Sequence, residues 1–221
     1  MVGNKHAFWQ ALVFTLVIFM LGISIGFVFE LSRNSQVENT LFMSEVSLLD
    51  QQLRSQVVGN FAVPCNVSKN SLFDFADTIY SDASQLEQYD GASNFQNTLG
   101  ILHRRYDLLR LMVWSESKDL RERCGDNFHT AVYFYNYTST DLNVKAEETT
   151  FSRQLEDIKS KHGSDLLLIP IAADLNLTSV DVLVQSYNIT QLPAILIDEK
   201  IKVSGEIPSD KLESIIFNRS N

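Results

Sequence analysis

The spacing of apolar residues changes three times along the chain. Phe8 to Phe29 carries no charged side chain. As a helix rising about 1.5 Å per residue, this run reaches about 33 Å, the depth of a bilayer's hydrocarbon core. Beyond it the pattern turns amphipathic. Phe42, Val46, Leu49 and Leu53 repeat at helical spacing up to the stop signal Gly59-Asn60, which predicts a helix able to run on from the apolar span. A break containing Pro64 and Cys65 follows. A second helix is predicted from Ser71, with Asp74 at capping-box distance and a stripe of Leu72, Phe75, Ile79, Ala83 and Leu86, ending at Asp90-Gly91. In the third stretch Phe95, Leu99, Leu102, Tyr106, Leu109 and Val113 form a heptad seam that ends at Cys124-Gly125. These stretches predict a helical hairpin or three-helix bundle. A seam of this kind is core packing rather than a cofactor box.

From Phe128 the period changes again. Thr130–Tyr135 reads as a strand, Phe151–His162 as a helix closed by Gly163, and Leu166–Ile171 as a buried strand. Ser179–Tyr187 reads as a helix, Ala194–Ile197 and Lys200–Val203 as strands, and Ser209–Phe217 as a last helix. The order β-α-β-α-β-β-α, with buried strands joined by helical crossovers, predicts an α/β sandwich.

That order resembles the thioredoxin fold, and one stretch carries most of the resemblance. In Tyr187-Asn-Ile-Thr-Gln-Leu-Pro-Ala-Ile-Leu-Ile197 a helix ends, a short loop passes and a proline opens the next strand. The resemblance implies a cis peptide at Leu192–Pro193, where the main chain pairs with an extended polypeptide in that family. The hairpin at Asp198–Lys200, the turn at Gly205 and the last helix fit as well. In thioredoxins the first strand runs into C-x-x-C. Here it runs Val132-Tyr-Phe-Tyr-Asn-Tyr-Thr-Ser-Thr-Asp-Leu142, with Ser139 and Leu142 at the two cysteine positions. Without a thiol this unit cannot by itself exchange disulfides. It resembles the thioredoxin-like domains that bind peptides without catalysis, and Leu192 and Pro193 are the positions that carry over. Such binding would add a strand to an edge, giving affinity with little sequence demand.

The flanks of the apolar run orient it. Lys5 and the terminal amine precede it and Glu30 follows, so the short N-terminal side is expected in the cytoplasm and the bulk of the chain outside. A cleaved signal peptide is the rival reading. Its apolar core is shorter, about 7–15 residues, and ends in small residues, which this run lacks. Five N-x-[ST] sequons, at Asn66, Asn136, Asn176, Asn188 and Asn218, suit an extracytoplasmic location. Gly22 and Gly26 form a G-x-x-x-G inside the span, a spacing that lets two helices approach closely.

Cys65 and Cys124 are the only cysteines, too few for a zinc site built of four thiolates. They flank the predicted hairpin, so an antiparallel arrangement brings them to one end, and an oxidising compartment would join them. A structural disulfide is the leading expectation. A redox-active pair or two free thiols are the alternatives. The net charge of −9 argues against nucleic acid, whose phosphates need clustered Lys and Arg. The histidines, His6, His103, His129 and His162, have no metal-ligand spacing, and His103 beside Arg104 and Arg105 reads as part of a solvated helix face. The pairs Glu147-Glu148, Glu156-Asp157 and Asp198-Glu199 read as surface acids. The run Tyr133, Phe134, Tyr135 and Tyr137 reads as core, with a partner-facing patch as the alternative. No catalytic, cofactor or metal motif is found.

The chain therefore reads as a cytoplasmic tail (1–7), a membrane anchor (8–29), a helical stalk or bundle (30–125) and a thioredoxin-like domain (126–221). Its expected partners are lipid through Phe8–Phe29 and a polypeptide outside the membrane. Two other hypotheses remain open here. One is a thiol–disulfide enzyme using Cys65 and Cys124 near Pro193. The other is a scaffold whose helical seam is shared between copies of the chain.

Overall fold

The computed structural model describes residues 4–61, 63–87, 96–125, 128–205 and 207–217. The chain divides into two compact units, Met1–Val57 and Val58–Asn221. Most of helix α1 (Asn4–Asn60) belongs to the first, and it passes unbroken through both the apolar and the amphipathic stretches. Phe8–Gly26, near the N-terminus, has a mean hydropathy of 2.2 and no buried residue, so it is long and apolar enough to cross a membrane. Its two hydroxyls are satisfied within the helix. Thr15 donates to the Ala11 carbonyl at 2.8 Å and Ser24 to the Met20 carbonyl at 2.9 Å, as an apolar surround requires.

The second unit begins with a helical hairpin, α2 (Cys65–Glu87) and α3 (Gln96–Cys124). Helix α2 starts six residues ahead of the expected Ser71 cap, which instead lies inside it. Pro64 sets this start. Its carbonyl accepts the first helical bond, from the Ser68 N–H at 3.0 Å, and proline is tolerated only at a helix entrance. Leu72, Phe75, Ile79 and Ala83 of α2 are buried, as are Leu99, Leu109 and Val113 of α3. Leu102 and Tyr106 of the same seam are half-buried. Its expected first residue, Phe95, and the stop at Asp90-Gly91 lie outside the described residues. Gly125, at φ 85°, ends α3 in the left-handed region that favours glycine. Cys65 and Cys124 form a disulfide with their Cα atoms 5.8 Å apart, joining points separated by 59 residues. In the chain-entropy picture a closure of that length contributes about 4 kcal/mol.

The strands and helices after it follow the expected order. They are β1 (His129–Tyr135), α4 (Leu142–His162), β2 (Leu166–Ala172), α5 (Thr178–Ser186), β3 (Ala194–Ile197), β4 (Ile201–Ser204) and α6 (Ser209–Phe217). The sheet order is β2-β1-β3-β4. β1 and β2 are parallel, β3 is antiparallel to β1, and β4 is antiparallel to β3. Helix α4 begins at Leu142 rather than Phe151, because the Asp141 side chain caps it by accepting the Asn143 N–H at 2.8 Å. The Leu192–Pro193 peptide is cis, as the resemblance implies.

Alternation along β1 divides the core. Ala131 and Tyr133, with Leu166, Ile195 and Ile197, pack against Phe151, Leu155 and Ile158 of α4 and Leu212 and Ile216 of α6. Thr130, Val132 and Phe134 take the other face. There Trp114 of α3 lies edge-on to Phe134 with ring centres 6.1 Å apart. The hairpin is locked to the sheet through the β3–β4 turn. Asp198 and Glu199 both have positive φ, 48° and 56°, which non-glycine residues adopt rarely. Asp198 Oδ1 accepts from Arg121 Nη1 at 2.5 Å and from the Thr130 N–H at 2.8 Å, and its Oδ2 meets His129 Nδ1 at 2.8 Å. Glu199 accepts from Arg121 Nη2 and from Trp114 Nε1, the latter at 2.6 Å. The surface-acid reading of Asp198-Glu199 is therefore corrected. Asp198 is only 7% exposed, and its carboxylate is compensated there by Arg121 and the Thr130 N–H.

Candidate functional site

Strand β1 delivers the chain to a loop, residues 136–141, at one end of the sheet. The register Phe134↔Ala194 places the start of β3, and so Pro193, beside the end of β1. The loop is held by charged side chains acting on its main chain. Asp174 accepts from the N–H groups of Tyr137 and Thr138, both at 2.7 Å, and from the Thr138 hydroxyl at 2.5 Å. Lys145 Nζ donates to the carbonyls of Asn136 at 2.7 Å and Tyr137 at 3.1 Å. Glu148 Oε1 accepts the Asn136 N–H at 2.6 Å. Glu148 is only 6% exposed, so the reading of Glu147-Glu148 as surface solvation fails for this residue. Its burial is compensated by that hydrogen bond and by Lys145, 3.3 Å from Oε2.

Ser139 and Leu142, the two positions singled out by the sequence resemblance, occupy this loop and the start of α4. The Ser139 hydroxyl is half-buried and accepts the Asp141 N–H at 3.3 Å. Leu142 is 83% exposed. Across from them Pro193 is buried, Leu192 half-buried, and Thr190 and Gln191 exposed. Among the described residues, the main chain of Gln191 and Leu192 enters no hydrogen bond. An extended main chain with free polar groups at a sheet end can accept another strand.

A groove of about 1110 Å³ opens next to this loop, between the hairpin and α4. Tyr80, His103, Tyr133, Tyr135, Tyr137 and Arg153 are among the residues that line it. The aromatic run is divided between the core and the groove. Phe134 and Tyr133 are core, at 0% and 5% exposure, while half-buried Tyr135 and Tyr137 reach the groove. Tyr133 donates to the Glu148 carbonyl at 3.0 Å, and burial pushes its hydroxyl above the ordinary phenol range. His103 is not on a solvated face. It is 4% exposed, with its ring 4.1 Å from that of Tyr137. Behind the groove, Asp107 accepts from Arg110 Nη1 at 3.1 Å and from the Ala172 N–H at 3.2 Å. Burial pushes its carboxyl up to about 6, against the lowering effect of Arg110. Neither the Asp107–Ala172 contact nor the Asp174 brace has a sequence signal, since each joins residues far apart in the chain.

The disulfide lies at the opposite end of the sheet. Cys124 follows Arg121, which binds Asp198 beside Thr130 at the start of β1. Pro193 lies at the far end of that strand, about 20 Å away at the usual strand rise. The structure therefore does not bring Cys65 and Cys124 together with Leu192 and Pro193, as a thiol–disulfide enzyme using both would need. Among the described residues no group of three His, Cys, Asp or Glu side chains could hold a metal ion.

Neither a family model nor a curated protein matches this chain. A solved structure described as "Structure of a malarial protein" is similar at 16% identity over 43% of this chain and all of the other, with a TM-score of 0.35. That similarity is too slight to assign a fold or an activity.

Proposed function

We propose that this is a membrane-anchored protein whose thioredoxin-like domain lies outside the cytoplasm and binds an extended polypeptide without redox chemistry. The observation that carries the reading is the Gln191–Leu192 main chain, which enters no hydrogen bond among the described residues, next to Pro193 and to a braced loop that holds no thiol. The strand order β2-β1-β3-β4 with a proline opening β3 supports the thioredoxin-like assignment. The apolar helix and the joined cysteines support the location, since disulfides persist in oxidising compartments. Exposed Leu142 offers an apolar contact for the bound chain.

The test is the affinity of the full-length, detergent-solubilised protein for a panel of extended peptides. Leu192→Pro removes one main-chain donor and is expected to bind roughly tenfold more weakly, the worth of one hydrogen bond. Leu142→Asp alters only an exposed side chain and is expected to weaken binding without lowering the melting temperature. Unchanged affinity in both variants would discard this sheet end as the binding site.

A further inference from the structure

The five sequons differ in what the fold does with them. N-glycosylation needs an asparagine whose product stays in solvent, and a hydroxyl two residues on that the transferase can reach, hence a surface loop. Asn66 is exposed, but its partner hydroxyl is on Ser68, which is 1% exposed within α2. Asn136 is half-buried. The hydroxyl of its partner Thr138 is engaged by Asp174 at 2.5 Å. Asn218 lies outside the described residues.

Asn176 and Asn188 meet both conditions. Asn176 lies in the loop from β2 to α5 at φ 55°, and Asn188 in the turn after α5 at φ 50°. Both asparagines are exposed, and so are their partners Thr178 and Thr190. Each tripeptide sits where the chain turns at the surface, at one end or the other of a nine-residue helix.

We propose that Asn176 and Asn188 are N-glycan acceptors and that Asn66 and Asn136 are not. This rests on the extracytoplasmic location proposed above. The donor would be an oligosaccharide linked through phosphate to a membrane polyprenol. The amide Nδ2 forms a bond to the sugar's anomeric carbon, and the bond from that carbon to the phosphate oxygen breaks. The polyprenol phosphate leaves, and the amide proton passes to a base of the transferase. No oxidant or reductant is consumed.

The experiment is peptide mass mapping of the full chain purified from its source membranes, paired with protease digestion of intact, right-side-out membranes. The expected result is sugar mass at Asn176 and Asn188 in a protein whose C-terminal unit is cut from outside. Asn176→Gln and Asn188→Gln should each lower the apparent mass by one glycan. Unmodified asparagines in a protein cut from outside would overturn the glycan proposal and leave the location standing. Sugar at Asn66 or Asn136 in place of these two would overturn it as well. A protected, unmodified protein would overturn the location and the glycans together.

Discussion

The two ends of the sheet are built on different plans. At the start of β1, side chain meets side chain, with the Thr130 N–H as the one main-chain donor to Asp198 among the described residues. Arg121 spans Asp198 and Glu199, His129 and Trp114 close round the same carboxylates, and the disulfide lies just beyond. At the other end, side chains hold main chain. Asp174, Lys145 and Glu148 fix the loop by its N–H and carbonyl groups, and among the described residues the neighbouring Gln191–Leu192 backbone enters no hydrogen bond. The first plan joins two substructures distant in sequence. The second shapes a loop while keeping a sheet end available. Stability is therefore expected to concentrate at one end and recognition at the other.

That division can be broken most forcefully at Arg121. Arg121→Ala leaves Asp198 buried without its cation and is expected to cost about 3–5 kcal/mol, read as a lowered midpoint in urea unfolding. Next in size is the pH dependence set by Asp107. Its carboxyl titrates near 6 when folded against 3.8 as an ordinary group, so the folded chain binds the extra proton between those values. Stability should fall as pH rises through that window, by roughly 3 kcal/mol in all, and then level off. Unfolding curves across pH 4–7 should show that slope for the parent chain and lose it in Asp107→Asn. The smallest effect on stability is expected at the open end. Asp174→Ala should cost about 1–2 kcal/mol and speed hydrogen exchange at the amides of Tyr137 and Thr138, leaving those of Thr130 and Asp198 unchanged. Uniform acceleration along β1 would show that the two ends are not independent.

The elements were legible where periodicity alone decides them. The β3 strand Ala194–Ile197 and the last helix Ser209–Phe217 fall at the expected residues, because short apolar runs and clear stripes leave few alternatives. The start of α4 was hidden because Thr138 to Asn143 reads as loop chemistry until Asp141 is seen capping a helix. Ser71 misled because a capping pattern occurs by chance inside a helix whose entrance Pro64 had already set. The disulfide followed from hairpin geometry, which needs only helix ends and chain direction. His103, Glu148 and Asp198 were misplaced on the surface for a common reason. A charged or polar residue is buried only when a partner meets it, and those partners stand elsewhere in the sequence. The Arg121–Asp198 pair, 77 residues apart, leaves no local trace.

The β3–β4 turn also bears on how the chain can change over time. Short hairpin loops at the surface are ordinarily permissive places for insertion, because only solvent is disturbed. Here the loop residues are themselves the ligands of a cation on another helix, and their left-handed conformations set where both carboxylates fall. Adding or deleting one residue at Asp198-Glu199 would turn at least one carboxylate away from Arg121. Length variation in descendants of this sequence should therefore collect elsewhere and spare this loop, whatever the partner at the open end requires.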